Sequence, residues 1–266
     1  MSGRSSYKPG EFCWVDLAST DFDASKKFYC DLIGWEWEPA GPPEETGGYG
    51  FFTYEGKQIC GGGPTQDPSQ PSAWSNYVKV EDADASAEKV SAAGGKVIVP
   101  PFELPAEAGR MSVCQDTEGA FISLMQQRQH PGAALVNEVG AWNWSNLMSR
   151  DLDKAKSFYR DVFGWDASQS EEAPEGILNW QTKDQEWPEG LGGLMQIGTD
   201  MPAEVPPHWQ VYFGVSDAEK AVEQVNGAGG ATLFGPLEIP IAKLAVFADP
   251  QGANFAIIEP HYPEPR

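Results

Sequence analysis

The sequence predicts an α+β protein of two tandem halves, each built from two strand-helix-strands units. Three observations carry this reading. The stretch from Asp21 to Trp35 returns from Asp151 to Trp165, 130 residues on, and self-similarity at a fixed offset marks a duplication. Trp74–Val80 and Gly94-Gly95 return as Trp209–Val215 and Gly229-Gly230, 135 residues on. Short alternating apolar runs, bounded by Gly, Pro and Asp, separate the helical segments and read as strands.

In order, Glu11–Leu17 reads as a strand and the helix opens at Asp21, an N-cap residue type. Phe28 and Leu32 keep helical spacing, and Gly34 can take the left-handed C-terminal conformation. A loop over Pro39–Gly50, a strand at Phe51–Tyr54 and a turn at Gly61-Gly62-Gly63-Pro64 complete the first unit. Trp74–Val80 opens the second unit, Asp82 caps a helix to Ala93, and Val97–Val99, Arg110–Cys114 and Phe121–Gln126 read as strands. Asp116-Thr117-Glu118-Gly119 is the turn before the last of these. Residues 128–139, with His130-Pro131-Gly132 and no periodicity, read as the connector. The second half repeats the order with strands at Trp142–Leu147, Leu178–Gln181, Trp209–Val215 and Asn254–Glu259, helix caps at Asp151 and Asp217, and the turn Asp249-Pro250-Gln251-Gly252.

The chain of 266 residues is long enough for two domains of ordinary size. Its formal charge of −21, with 18 basic against 39 acidic residues, argues against nucleic acid, which needs a clustered basic surface. No apolar run approaches the roughly 20 residues of a membrane span, and the start is short and polar, so a cytoplasmic protein is expected. Cys13, Cys30, Cys60 and Cys114 all lie in the first half without a CxxC pair. They read as reduced, buried thiols, with reactive or metal-binding uses as the alternatives.

This order of elements, with Phe-Tyr in the first helix and Asp-x-x-Gly before the last strand, resembles the vicinal oxygen chelate superfamily of glyoxalase I, bleomycin-resistance proteins and extradiol dioxygenases. Trp14-Val15-Asp16-Leu17, Gly109-Arg110-Met111 and Asp116-x-x-Gly119-Ala120 are similar to the two-domain actinobacterial glyoxalase-like proteins, often labelled hydroxylases or culture-filtrate antigens. The resemblance implies glyoxalase-like domains over residues 8–127 and 140–262. Each would hold two βαβββ units curled into half-barrel sheets with helices outside.

Strand parity points to a cavity independently. Val15, Leu17, Val78, Val80, Ile122, Leu124, Val211, Phe213, Val215, Phe255 and Ile257 share the uniformly apolar face and should pack on the helices. The other face carries Trp14, Asp16, Ser75, Tyr77, Lys79, Phe121 and Ser123, and in the second half Trp144, Asn146, Gln210, Tyr212, Asn254 and Ala256. Such a mixture of rings and hydrogen-bonding groups suits a ligand; a solvent-washed sheet face would show it too. Trp74, Trp180 and Trp209 are further rings that could stack a flat ligand or simply be core.

Metal-using members of the superfamily hold their ion with His, Glu or Gln at three strand positions. By the resemblance these fall on Trp14, Ser75 and Ser123 in the first half and on Trp144, Gln210 and Ala256 in the second. Of these only Gln210 is a tolerable ligand, and one weak oxygen donor does not hold zinc or iron. His130, His208 and His261 are the only histidines, scattered between connector, strand start and C-terminus.

Asp16 is the titratable residue best placed for proton transfer, since burial on the cavity face raises a carboxyl pKa; a structural hydrogen bond is the alternative. Arg110 could steady an oxyanion or form a salt bridge to Glu103. The expectation is therefore a metal-independent, cofactor-free protein, monomeric or weakly self-associating, that binds a small aromatic or carbonyl-bearing metabolite over Trp14 and Trp144. The alternative is a metal-free lyase, isomerase or hydroxylase-like enzyme using Asp16 and Arg110. A metal-dependent glyoxalase I-type lyase or dioxygenase is opposed by the ligand positions.

Overall fold

The computed structural model describes residues 3–169, 176–182, 192–199 and 201–261. Its first half runs β1 (Phe12–Ser19), α1 (Phe22–Ile33), β2 (Glu36–Pro39), the single-turn α2 (Pro43–Thr46), β3 (Gly50–Tyr54), β4 (Lys57–Pro64), β5 (Ala73–Lys79), α3 (Ala83–Ala92), β6 (Lys96–Glu103), β7 (Gly109–Gln115) and β8 (Phe121–Gln127). The second runs β9 (Trp142–Ser149), α4 (Leu152–Phe163), β10 (Asp166–Ser168), β11 (Ile177–Gln181), β12 (Gly192–Gln196), β13 (His208–Gly214), α5 (Ala218–Gly227), β14 (Ala231–Ile239), β15 (Ala242–Ala248) and β16 (Asn254–Pro260). Each half forms one eight-stranded mixed sheet. The orders are β2-β3-β4-β1-β5-β8-β7-β6 and β10-β11-β12-β9-β13-β16-β15-β14. The antiparallel pairs β1–β5 and β9–β13 join the two units of each sheet.

The helices form where their caps put them. Asp21, Asp82, Asp151 and Asp217 each accept the backbone N–H three residues on, at 2.9–3.2 Å. Such a bond satisfies a donor that the first helical turn leaves open. Gly34 and Gly164 end α1 and α4 in the left-handed conformation, at φ 85° and 74°. No helix among the described residues is long and apolar enough to cross a membrane.

The Gly61-Gly62-Gly63 segment is not a turn but the second half of β4, lying parallel to Asp16, Leu17 and Ala18 of β1. Gly192 and Gly193 likewise open β12. Glycine supports either conformation, and here two packed neighbours decide. A Cβ at Gly62 would stand 2.8 Å from the Phe22 ring of α1, and one at Gly61 would collide with the Tyr49 hydroxyl on the opposite face. The connector is also more than a tether. Ala133 N–H donates to Cys13 O and Ala134 N–H to Gln58 O, at 2.9 and 2.7 Å, so the segment runs between the starts of β1 and β4.

The apolar sheet faces meet each other and the helices, and the contacts between halves are reciprocal. Tyr29 of α1 donates to Asp249 at 3.1 Å, and Tyr159 of α4 donates to Asp116 at 3.0 Å. Trp35 Nε1 donates to Gly140 O and Trp165 Nε1 to Gly10 O, both at 2.7 Å. Phe12 sits 5.2 Å from Trp165 and 5.0 Å from Trp209, while Phe213 sits 5.0 Å from Trp35 and 4.8 Å from Trp74. Trp74 and Trp209 therefore belong to the core between the halves, donating to Tyr29 and Tyr159. Trp180 is fully buried and 5.7 Å from Trp165. All three lie on the core side of their sheets. Cys13, Cys60 and Cys114 are buried free thiols and Cys30 is half-buried.

Candidate functional site

We call the sheet face turned away from that core the trough of each half. In the first, the β1–β5 register sets Trp14 beside Tyr77 and Asp16 beside Ser75, and the parallel β5–β8 register sets Ser123 beside Tyr77. Asp16 is partly buried and lies at the centre. Tyr77 donates to its Oδ2 at 2.8 Å and Tyr49 reaches the same oxygen at 3.5 Å, while Trp14 Nε1 donates to the Tyr49 hydroxyl at 3.1 Å. Asp16 Oδ1 has no hydrogen-bond partner among the described residues. Burial, only partly offset by the two phenols, pushes the Asp16 pKa up to about 6. Burial and the Asp16 charge together raise Tyr49 and Tyr77, which stay protonated and donate.

Tyr49, from the loop before β3, is the residue that strand patterning misses. The signal for it is the glycine pair facing the trough. Gly61 leaves space for the Tyr49 hydroxyl, and a Cβ at Gly63 would stand 3.3 Å from the Tyr49 Cα.

Toward β6, β7 and the start of β8 the same face is apolar. Val99 pairs with Val113 and Phe102 with Met111, and the β7–β8 register puts Val113 on the Ser123 face. Val99, Phe102 and Phe121 are exposed large hydrophobics, Phe121 by 53%. His130 of the connector closes one end. Its ring stands edge-on 4.5 Å from Trp14 and tilted by 31° at 5.8 Å from Phe51, which shares the trough face through its pairing with Gly61. Its Nδ1 accepts the Gly132 N–H at 3.1 Å, and burial lowers its pKa to about 4. The imidazole is thus neutral near pH 7, with its remaining proton on Nε2.

The second trough keeps the frame and loses the charges. Asn146 stands for Asp16, accepting from Trp144 Nε1 at 2.7 Å and donating to the Tyr212 hydroxyl at 3.1 Å. Register places Gln210 beside Asn146 and Ala256 where the first half has Ser123. It also places Ile177 in the Tyr49 position and Met195 in that of Gly63. Asn146 donates to the Met195 sulfur at 3.4 Å.

Of the residues singled out from sequence, the first half thus gathers Trp14, Asp16, Ser75, Tyr77 and Ser123, and the second Trp144, Asn146, Gln210 and Tyr212. Arg110 is not among them. Its register with Gln126 puts it on the helix side, where it donates to Asp84 at 2.8 and 2.9 Å and to Glu103 at 3.3 Å. The expected oxyanion role gives way to the salt-bridge alternative, because strand alternation turns even-numbered β7 residues away from the trough. Lys243, its counterpart, pairs with Glu219 and Glu238.

The donor set does not fit the divalent ion that metal-using relatives hold. Trp14 Nε1 can only donate, and Ser75 and Ser123 offer neutral hydroxyls where a stable site needs imidazole or carboxylate. No group of three or more His, Cys, Asp or Glu that could hold a metal ion forms among the described residues. His208 caps Pro206 O and His261 reaches Glu238, both away from His130.

Comparison with known proteins agrees with this architecture. "Putative glyoxylase CFP32" of Mycobacterium tuberculosis is 38% identical over 265 residues, covering 98% of each chain. "Anthracycline biosynthesis protein DauV" of Streptomyces sp. (strain C5) is 30% identical over 269 residues, covering 95% of this chain and 94% of that one. Among solved structures, the Mn(II)-bound glyoxalase from Novosphingobium aromaticivorans superposes with a TM-score of 0.62 at 18% identity, over 95% of this chain and 82% of the other. That likeness concerns the fold alone. The sequence pattern of the Glyoxalase/Bleomycin resistance protein/Dioxygenase superfamily matches residues 12–124 and again 141–257, and with this double match the chain belongs to that superfamily as a tandem pair of glyoxalase-like domains.

Proposed function

We propose that the protein binds a small aromatic or carbonyl-bearing metabolite in the trough of its first half, using side chains alone. The observation that supports this is a partly buried carboxylate with one oxygen unpartnered among the described residues, Asp16 Oδ1, on the same sheet face as the exposed apolar side chains of Val99, Phe102 and Phe121. An apolar wall above a few fixed polar groups is the usual make-up of a small-molecule site. Rings pack on the apolar part of the face, a ligand hydroxyl donates to Asp16, and a ligand carbonyl accepts from the Ser75 hydroxyl. The likeness to DauV, an anthracycline biosynthesis protein, adds support, since anthracyclines are flat aromatic carbonyl compounds.

Titration of the intrinsic tryptophan fluorescence with 2-tetralone and 2-indanone, each an aromatic ring fused to a ketone-bearing ring, tests the reading. Saturable quenching by at least one of them is expected. Phe121→Arg, at an exposed position that the fold does not need, is expected to weaken that binding about tenfold or more, the loss of one aromatic contact. No saturable quenching, or quenching indifferent to Phe121, overturns the assignment.

A further inference from the structure

Among the described residues, Asp16 is an anion for which the fold supplies no cation. Its hydrogen bonds come from Tyr77 at 2.8 Å and Tyr49 at 3.5 Å, two neutral phenols that share Oδ2. The cations of neighbouring strands are engaged elsewhere. Lys79, two residues past Tyr77 on the same face of β5, donates to Tyr7 O at 2.5 Å, and Arg110 holds Asp84 and Glu103 on the helix side. His130 carries no charge near pH 7, since burial lowers its pKa to about 4. A partly buried carboxylate without a counter-charge destabilises the fold that holds it. Nor does the strand frame need that charge, because the second half seats neutral Asn146 in the same position, with its Oδ1 taken by Trp144 Nε1.

We infer that the first trough selects aromatic amines, whose ammonium group gives Asp16 Oδ1 the positive partner that the chain itself withholds. This rests on the ligand-binding reading and names the ligand class of that same site. The two phenols occupy Oδ2 and leave Oδ1 to accept an ammonium N–H. Ser75, opposite Asp16 in the β1–β5 register, offers a second acceptor on the same face. A metal cation fits the site less well than an organic one. It needs several oxygen or nitrogen ligands, and no group of three or more His, Cys, Asp or Glu forms among the described residues. An ammonium needs one anion, and the aromatic rings beside that anion favour a cation carried on an apolar frame. Those rings are contiguous: the Phe51 centroid lies 6.1 Å from that of Trp14 and 5.9 Å from that of Tyr49, whose hydroxyl reaches Asp16. The ligand's own ring then lies toward the exposed Val99, Phe102 and Phe121. The net charge of −21 works in the same direction, raising the concentration of cations near the surface and disfavouring carboxylates. With Asn146 in place of the acid, the second trough lacks this selectivity.

The experiment compares four ligands that share one two-ring frame and differ at a single substituent: 2-aminotetralin, 2-tetralol, 2-tetralone and tetralin-2-carboxylate. Each is titrated against the tryptophan fluorescence of the full chain at pH 8, in about 0.15 M salt, where a screening length of about 8 Å subdues attraction by the rest of the surface. The amine is expected to bind about tenfold or more tighter than the alcohol and the ketone, the usual advantage of a charge-assisted hydrogen bond over a neutral one. The carboxylate is expected to bind weakest of the four. Asp16→Asn is expected to abolish the preference for the amine, read as the ratio of dissociation constants within the variant, so that any general change in affinity cancels. Near-UV circular dichroism checks that the variant keeps its aromatic packing. Binding of the ketone with no advantage for the amine overturns the selectivity and leaves the binding reading standing. An amine preference that persists in a folded Asp16→Asn variant overturns the assignment to Asp16 and traces the effect to net charge. Absence of saturable binding by all four overturns both readings.

Discussion

Burial disfavours the Asp16 carboxylate, so the folded chain keeps this proton up to about pH 6 whereas the unfolded chain releases it near the ordinary value of 3.8. Between these values the folded state binds more protons than the unfolded one, and stability falls as pH rises. The contribution is most favourable below the unfolded pKa and is lost as pH rises through the folded one. Asn146 in the second trough takes the same position without that cost, which makes Asp16→Asn a substitution the fold has in effect already accommodated. Urea unfolding should find Asp16→Asn more stable than wild type by about 1–3 kcal/mol at pH 8, with the gap closing by pH 4. Asp116 and Asp249, also raised by burial, are common to both chains and cancel from the difference. A variant no more stable than wild type at pH 8 contradicts this account. Gly61 carries the opposite constraint. Its missing Cβ is the space taken by the Tyr49 hydroxyl, so Gly61→Ala is expected to cost about 1–3 kcal/mol by overpacking and to displace Tyr49 from Asp16. A change of melting temperature within error would show that the Tyr49 loop relaxes freely.

The elements themselves were legible to the extent that their signals are local. The α1 and α4 helices carry cap, apolar stripe and terminal glycine within one short stretch, and strand alternation separates trough face from core without any long-range information. What failed needed a partner distant in sequence. Gly61-Gly62-Gly63 reads as a turn until Tyr49 and Phe22 are known to flank it. Trp74 reads as a possible ligand platform until its indole is seen donating to Tyr29. His130, in a segment without periodicity, enters the trough only because residues on either side of Ala133 are threaded between β1 and β4. The tyrosines of the repeated helices likewise meet aspartates 220 and 43 residues away. Their hydroxyls work in both directions, donating to the Asp of the opposite half and accepting from a tryptophan of their own. Tyr159→Phe leaves Trp209 Nε1 buried without an acceptor and Asp116 short of a donor, so a loss of about 1–3 kcal/mol is expected in urea unfolding. Tyr29→Phe should match it. A loss below about 0.5 kcal/mol for both would show that ordered water replaces the phenol.

At the scale of the molecule, these reciprocal contacts join the halves into one structural unit while turning their troughs away from each other. The sheet faces that meet carry Phe12, Trp35, Trp74, Trp165, Trp209 and Phe213. Neither half can leave these rings in water without exposing a large apolar surface. The duplication could thus diverge chemically in one trough without altering the other, because Asp16 and Asn146 belong to separate hydrogen-bonded clusters while the core between them stays common. Cooperative unfolding follows from the shared core. Calorimetry should give a single transition, and Phe12→Ala, which empties a space bounded by Trp142, Trp165 and Trp209 of the second half, should lower it as a whole. The cost expected for such a truncation is about 3–5 kcal/mol. Two transitions in the variant, one of them unmoved, would mean that the halves fold on their own and that the interface only docks them. A ligand in the first trough provides the converse measurement. By mass action, 2-tetralone at about 100 times its dissociation constant should add about 2.7 kcal/mol to the stability of the entire chain, second half included. A melting curve in which only part of the unfolding enthalpy shifts to higher temperature would contradict that coupling.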